Sequence, residues 1–81
     1  MERVADADTW ADKWAAHFFD RRSVPPGYLD LPLTEALAIA VTRAYEVRLI
    51  DRHTRAIELD LRPTRVNLLV VDDRVYRAAL F

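Results

Sequence analysis

The stretch RAIELDLRPTRVNLLVV, residues 55–71, decides how the rest of the chain is read. Its second half, TRVNLLVV (64–71), sets Val66, Leu68 and Val70 on one face at the period-two spacing of a strand. The first half alternates too, with Ile57, Leu59 and Leu61 against Glu58 and Asp60. That pattern fits either an edge strand or an extended peptide offered to a partner. Pro63 stands between the halves, has no N–H to give a ladder and pushes Arg62 toward extended backbone. An extended segment held outside the sheet satisfies both facts.

Working outward, EVRLID (46–51) alternates Val47 and Leu49 against Glu46 and Arg48, as a half-covered strand does. Downstream, Asp72-Asp73 predicts a tight hairpin into RVYRAALF (74–81). In that last strand Val75, Arg77 and Ala79 lie opposite Tyr76, Ala78 and Leu80, and either set reads as inward. Between the first two strands lies a charged loop of about ten residues, long for a small domain, and such loops are often the functional part.

Further upstream, Thr34 predicts the cap of a helix running to about Tyr45, with Leu37, Ala40, Val41 and Ala44 as its narrow apolar face. SVPPGYLDLP (23–32) holds adjacent prolines and the only glycine, and reads as a connector. Thr9, with Asp12 three residues on, predicts a helix over 9–21 in which Trp10, Trp14 and Phe18 recur every four residues along one face. His17 and Phe19 flank that ridge. It covers the chain's own sheet or serves as a partner or dimer face.

A chain of 81 residues makes a single domain with a thin core. Without cysteine it has neither disulfides nor thiolate metal ligands. The acidic start MERVADADTW lacks the apolar run of a secretory signal, and no segment has the length of apolar chain that spans a bilayer. A cytoplasmic protein with no membrane partner is the expectation; secretion would need a leader ahead of this sequence.

Net charge is −1, and all the basic side chains but Lys13 are arginine. Arg43, Arg48, Arg52, Arg55, Arg62 and Arg65 are interleaved with Glu46, Asp51, Glu58 and Asp60, a poor track for phosphates, so no nucleic acid is expected as partner. A single glycine excludes a glycine-rich phosphate loop. His53 and Asp51 supply two metal ligands at most where zinc needs about four. His17 and Asp20 read as a helix-surface contact, Asp72 and Asp73 as turn residues, and Ser23 is the only serine. No catalytic residue, metal or cofactor is expected, and the chain is read as a binding protein rather than an enzyme.

Arg62 and Arg65 bear on that binding role. Their forks reach back toward Asp60 and Glu58, and a loop cross-braced in this way loses less entropy on association.

The run IELDLRPTRVNLLVVDDRVYRAALF, preceded by LTEALAIAV and VRLI, resembles the potato inhibitor I type of serine-protease inhibitor, most closely its small bacterial branch. The resemblance covers about residues 31–81 and is most specific from Asp60 to Asn67. It implies an α+β fold in which a helix packs on a small mixed sheet of three strands, with a long loop between parallel neighbours offered to a protease in substrate-like form. Residues 31–81 would be the inhibitor-like core, and residues 1–30 an extension carrying the aromatic helix and the proline-rich connector. Leu59 matches the primary specificity residue, Asp60 the acidic residue after the scissile bond, Glu58 the position before it, and Arg62 the far shoulder. Arg65 matches the arginine that braces the loop from below, and Asn67 a support position that is often arginine in plant members. Residues 56–62, with Ile57 and Leu61 among them, are the implied protease-binding loop. A leucine suits subtilisin-like or chymotrypsin-like proteases rather than trypsin. Glu58 replaces a small hydroxyl residue, commonly Thr; the usual glycine before the loop and the cysteine frequent in the bacterial branch are missing. The alternative function is a non-enzymatic protein–protein interaction module on the same scaffold, using the loop or the aromatic helix, as a homodimer or with another protein.

Overall fold

A computed structural model describes the chain from residue 5 to residue 81, with side chains from residue 9 onward. The first four residues of the N-terminal extension lie outside the described residues. Helix α1 (Ala5–Trp14) runs into a π-helical turn (Ala15–Phe19), followed by α2 (Leu33–Thr42), β1 (Glu46–Ile50), β2 (Arg65–Val71) and β3 (Arg74–Leu80). The strands form one sheet in the order β1-β2-β3, with β1 parallel to β2 and β2 antiparallel to β3. This is a small α+β fold with a packed helix, a mixed sheet and a long connection between its first two strands. Among the described residues no helix is long and apolar enough to cross a membrane.

The central strand explains the layers. Six of its seven residues are buried, from Arg65 to Val70, so both its faces are covered. Val66, Leu68 and Val70 join Tyr28, Ala36, Ala40, Val75 and Ala78 in one core, beneath α2. On the opposite face Leu69 joins Ile50, Ala79 and Phe81 with Ala11, Ala15 and Phe19 of the N-terminal helix. The aromatic helix therefore docks on its own sheet. The side chains that it buries are Ala11, Ala15 and Phe19; Trp10, Trp14 and Phe18, the ridge singled out by sequence, sit beside that line and are only half-buried. Small alanines let the helix approach closely, which places the large rings at the flank. An α-helix turns roughly 80° over eight residues beyond whole turns. The π turn, in which the Asp20 N–H reaches the Ala15 carbonyl at 2.9 Å, takes up part of that drift and brings Phe19 over the sheet. Tyr76 donates to Asp12, and Arg77 pairs with Asp20 at 3.3 Å, fixing the helix to β3.

Helix boundaries depart from the sequence expectation. Thr9 lies inside α1, which begins at Ala5 because Ala5 and Ala7 extend a good helical sequence. Pro32 rather than Thr34 is the N-cap of α2, and the Leu33 N–H is satisfied by the Asp73 carbonyl of the hairpin at 2.8 Å. The helix stops at Thr42. Ala44 then adopts φ 60°, and the Tyr45 and Ala44 N–H groups close on the Ala40 and Val41 carbonyls in a Schellman arrangement.

The hairpin forms at Asp72-Asp73, both with positive φ, as a two-residue turn requires. The ambiguous register of the last strand has a physical cause. Leu69 pairs with Arg77 but Val70 pairs with Val75, so Tyr76 is an extra residue in a bulge. The bulge switches phase: Val75, Ala78 and Leu80 face one core, and Tyr76, Ala79 and Phe81 the other.

The long connection also has a topological cause. Parallel neighbours require the chain to return along the length of the sheet before pairing again. Residues 51–64 make that return without a helix or a strand, and the segment is longer than the expected ten or so residues.

Candidate functional site

The loop leaves β1 through a turn locked by its own side chains. Asp51 Oδ1 accepts from the His53 N–H at 2.9 Å, and Thr54 Oγ1 accepts from the Asp51 N–H at 3.0 Å. Beyond it the chain forms no strand or helix, and residues 56–61 are unpaired as a ladder. Ile57 is half-buried against the core beneath α1, while Leu59 and Leu61 are 60% and 70% exposed. The alternation in the sequence thus sorts into one anchor and two outward leucines.

What holds the apex comes from the sheet. Arg65, buried at the start of β2, donates from Nη2 to the Asp60 carbonyl at 2.7 Å, to Asp60 Oδ1 at 3.2 Å and to the main-chain oxygen of Phe81 at 3.0 Å. Arg48 of β1 donates from Nη1 to the Glu58 carbonyl at 2.9 Å and from Nε to Asn67 Oδ1 at 2.7 Å. Asn67, fully buried and paired across the parallel ladder with Arg48, donates from its side-chain Nδ2 to the Ala79 carbonyl at 3.3 Å. The carbonyls on either side of Leu59 are therefore each tied to a guanidinium rooted in the sheet.

Arg62 braces the far shoulder. It reaches Asp60 Oδ2 at 3.3 Å and both Glu46 oxygens at 3.2 Å, and its N–H donates to the Phe81 oxygen at 3.0 Å. The expected pairing of Arg62 and Arg65 with Asp60 forms. Glu58, exposed, takes no ion pair among the described residues; it contributes its main-chain oxygen, and Glu46 fills the acidic role instead. The Arg65 hydrogen bond holds the Asp60 carboxyl below the usual carboxylate range, ahead of a partial desolvation that opposes it. Burial lowers the Arg48 guanidinium, with Arg65 repelling it and Asp60 and Glu58 pulling the other way. Glu46 raises Arg62.

Sequence reasoning missed two members of this site. The sequence marks Arg48 as a strand residue and one of the scattered arginines, and its role as a brace appears once the parallel register sets it beside Asn67. Position 67 carries an acceptor, and the guanidinium arrives from the neighbouring strand. Phe81, 2% exposed, supplies the oxygen that Arg62 and Arg65 share, and no pattern in the sequence marks it.

Other sequence candidates stay apart. Among the described residues no three His, Cys, Asp or Glu converge as a metal set. His17 is exposed and meets Phe18 edge-on at 5.9 Å, while Asp20 is engaged by Arg77. Trp14 and Phe18 stack at 5.1 Å and, with Lys13 and His17, line a shallow apolar depression on the outer side of the helix. The chain matches no protein-family model, no curated protein and no solved structure.

Proposed function

We propose that the chain is a serine-protease inhibitor that offers residues 56–62 in substrate-like form to a subtilisin-like or chymotrypsin-like protease, with Leu59 in the S1 pocket. One observation carries the reading: the Glu58 and Asp60 carbonyls, flanking an unpacked Leu59, are bound by Arg48 and Arg65 from beneath. A loop held on both sides of its scissile bond enters a cleft with little ordering left to lose. After attack on the Leu59 carbonyl, the Asp60 side stays in place for religation instead of diffusing away. Asp60, neutralised by Arg62 and Arg65, adds to that grip.

The test is a titration of subtilisin and chymotrypsin with the intact protein and with Leu59→Ala, following residual activity and the mass of the chain. Tight inhibition by the intact protein is expected, weakened about tenfold to a hundredfold by the substitution, the scale of one buried leucine. No inhibition, or rapid cutting between Leu59 and Asp60, would overturn the reading and favour a binding module for another protein.

A further inference from the structure

The N-terminal helix lies outside the part of the chain that resembles an inhibitor, yet its docking ends at the loop's support. Phe19, its last residue over the sheet, meets the Phe81 ring edge-on, 5.7 Å between centroids. Arg22, in the turn closing that helix, places its guanidinium 4.4 Å from the centre of the same ring. Arg48, which holds the Glu58 carbonyl, lies 5.4 Å from it. Arg48 Nη2 is buried and has no hydrogen-bond partner among the described residues, so the aromatic face is the electron-rich surface left beside that end of the guanidinium. The main chain of Phe81 serves the second brace: its oxygen accepts from Arg65 Nη2, and its N–H donates to the Arg65 carbonyl at 3.3 Å. Arg48 and Arg65 carry like charges in close quarters and repel each other. Phe81 offsets that repulsion with a ring for one and an oxygen for the other.

We propose that Phe81 is a positioning residue that transmits the docking of the N-terminal helix to the loop: Phe19 seats the ring, the ring seats Arg48, and Arg48 fixes the Glu58 carbonyl beside Leu59. The consequence for protease binding rests on the inhibitory reading; the coupling itself does not. The helix is then part of the loop's stiffness rather than an appended cover, and loosening it turns an inhibitor into a substrate.

Phe81→Leu keeps the main-chain bonds and most of the apolar burial but removes the ring. Phe19→Leu leaves Phe81 intact and removes its seat, and carries the test alone should Phe81→Leu fail to fold. Val71→Ala thins the same core away from the brace and serves as the control. Two quantities are read: exchange of the Arg48 Nε–H with water by NMR, and the rate at which subtilisin cuts Leu59–Asp60. Both leucine variants are expected to raise each by about fivefold to tenfold, between the scales of an exposed and of a fully desolvated cation–π contact, while Val71→Ala lowers Tm and changes neither. Unchanged Arg48 exchange in the leucine variants, or an equal rise in Val71→Ala, overturns the proposal. If the intact protein does not inhibit but Arg48 exchange still responds to the ring, the positioning role stands and the inhibitory reading falls. If it inhibits and exchange does not respond, the reverse holds.

Discussion

Residues 20–32 and residues 51–64 are both long and irregular, but they are held by opposite means. The first lies along β3 by main-chain bonds: Asp30 N–H to the Val75 carbonyl at 2.8 Å, Val75 N–H to the Leu31 carbonyl at 2.9 Å, and Leu80 N–H to the Ser23 carbonyl at 3.1 Å. Its Tyr28 is fully buried in the core beneath α2. It covers the open edge of the sheet, which would otherwise invite pairing with another chain. Around its apex the second segment gives the sheet no ladder: the Glu58 and Asp60 carbonyls go to arginine side chains, Leu59 and Leu61 face outward, and main-chain bonds return only at its end, from Arg62 N–H to the Phe81 oxygen at 3.0 Å and from Glu46 N–H to the Thr64 carbonyl at 2.9 Å. The strap turns its largest side chain inward; the loop keeps only Ile57 against the core, turns Leu59 and Leu61 outward and takes its support from the sheet, the arrangement on which the proposed inhibitory reading rests.

The widest contrast between the two segments lies in stability. Tyr28→Ala is expected to lower unfolding free energy by about 3–5 kcal/mol, as other emptied aromatic sites do. Leu59→Ala should change it by less than about 0.5 kcal/mol, as exposed substitutions do. Chemical denaturation of both variants measures this, and a marked loss in Leu59→Ala would break the contrast.

Arg65→Ala probes the borrowed support. Removing a buried guanidinium that serves three oxygens should cost about 2–3 kcal/mol and leave the loop open to cutting between Leu59 and Asp60, read by mass spectrometry after protease exposure. If the fold weakens and the loop stays uncut, Arg65 supports the sheet alone.

A smaller effect sharpens the strap side. Gly27 has φ 89°, where an L side chain is strained although the added Cβ would meet only an arginine tip at 3.5 Å. Gly27→Ala should therefore destabilise by about 1 kcal/mol in a thermal or denaturant melt and leave loop protection untouched.

The smallest effect concerns pH. Asp60 titrates below its unfolded value because Arg65 bonds its charged form, so its contribution is full above the ordinary carboxylate pKa, about 3.9, and is lost as pH falls through the folded value. Susceptibility of the loop to an acid-active protease should rise on acidification through that window, and Asp60→Asn should flatten the rise. An equal rise in both proteins would remove Asp60 from the brace.

These contrasts were partly legible in the sequence. The alternation of Val66, Leu68 and Val70, the aspartate turn and the break at Pro63 named the strands and the extended loop. Asp60, Arg62 and Arg65 were recognisable because opposite charges lay within a few residues of each other. Arg48 was not, since its partners are set by a parallel pairing whose register no local pattern encodes. The docking face of the helix was only partly legible for a related reason: Trp10, Trp14 and Phe18, which pack at its flank, dominate any hydrophobic reading, while Ala11 and Ala15, which make the close contact, carry little signal. Tyr28 was hidden in a proline-rich connector, where neither helical nor strand periodicity applies.

The tethers at positions 58 and 60 end on main-chain oxygens, and every amino acid supplies the same oxygen. Posture and address are therefore written in different residues. The arginines and the asparagine beneath the loop keep its shape whatever side chain stands at position 59, and the fold takes no notice of which one it is. On the inhibitory reading proposed above, such a loop is re-addressed to a different pocket by one codon, with its stiffness inherited unchanged.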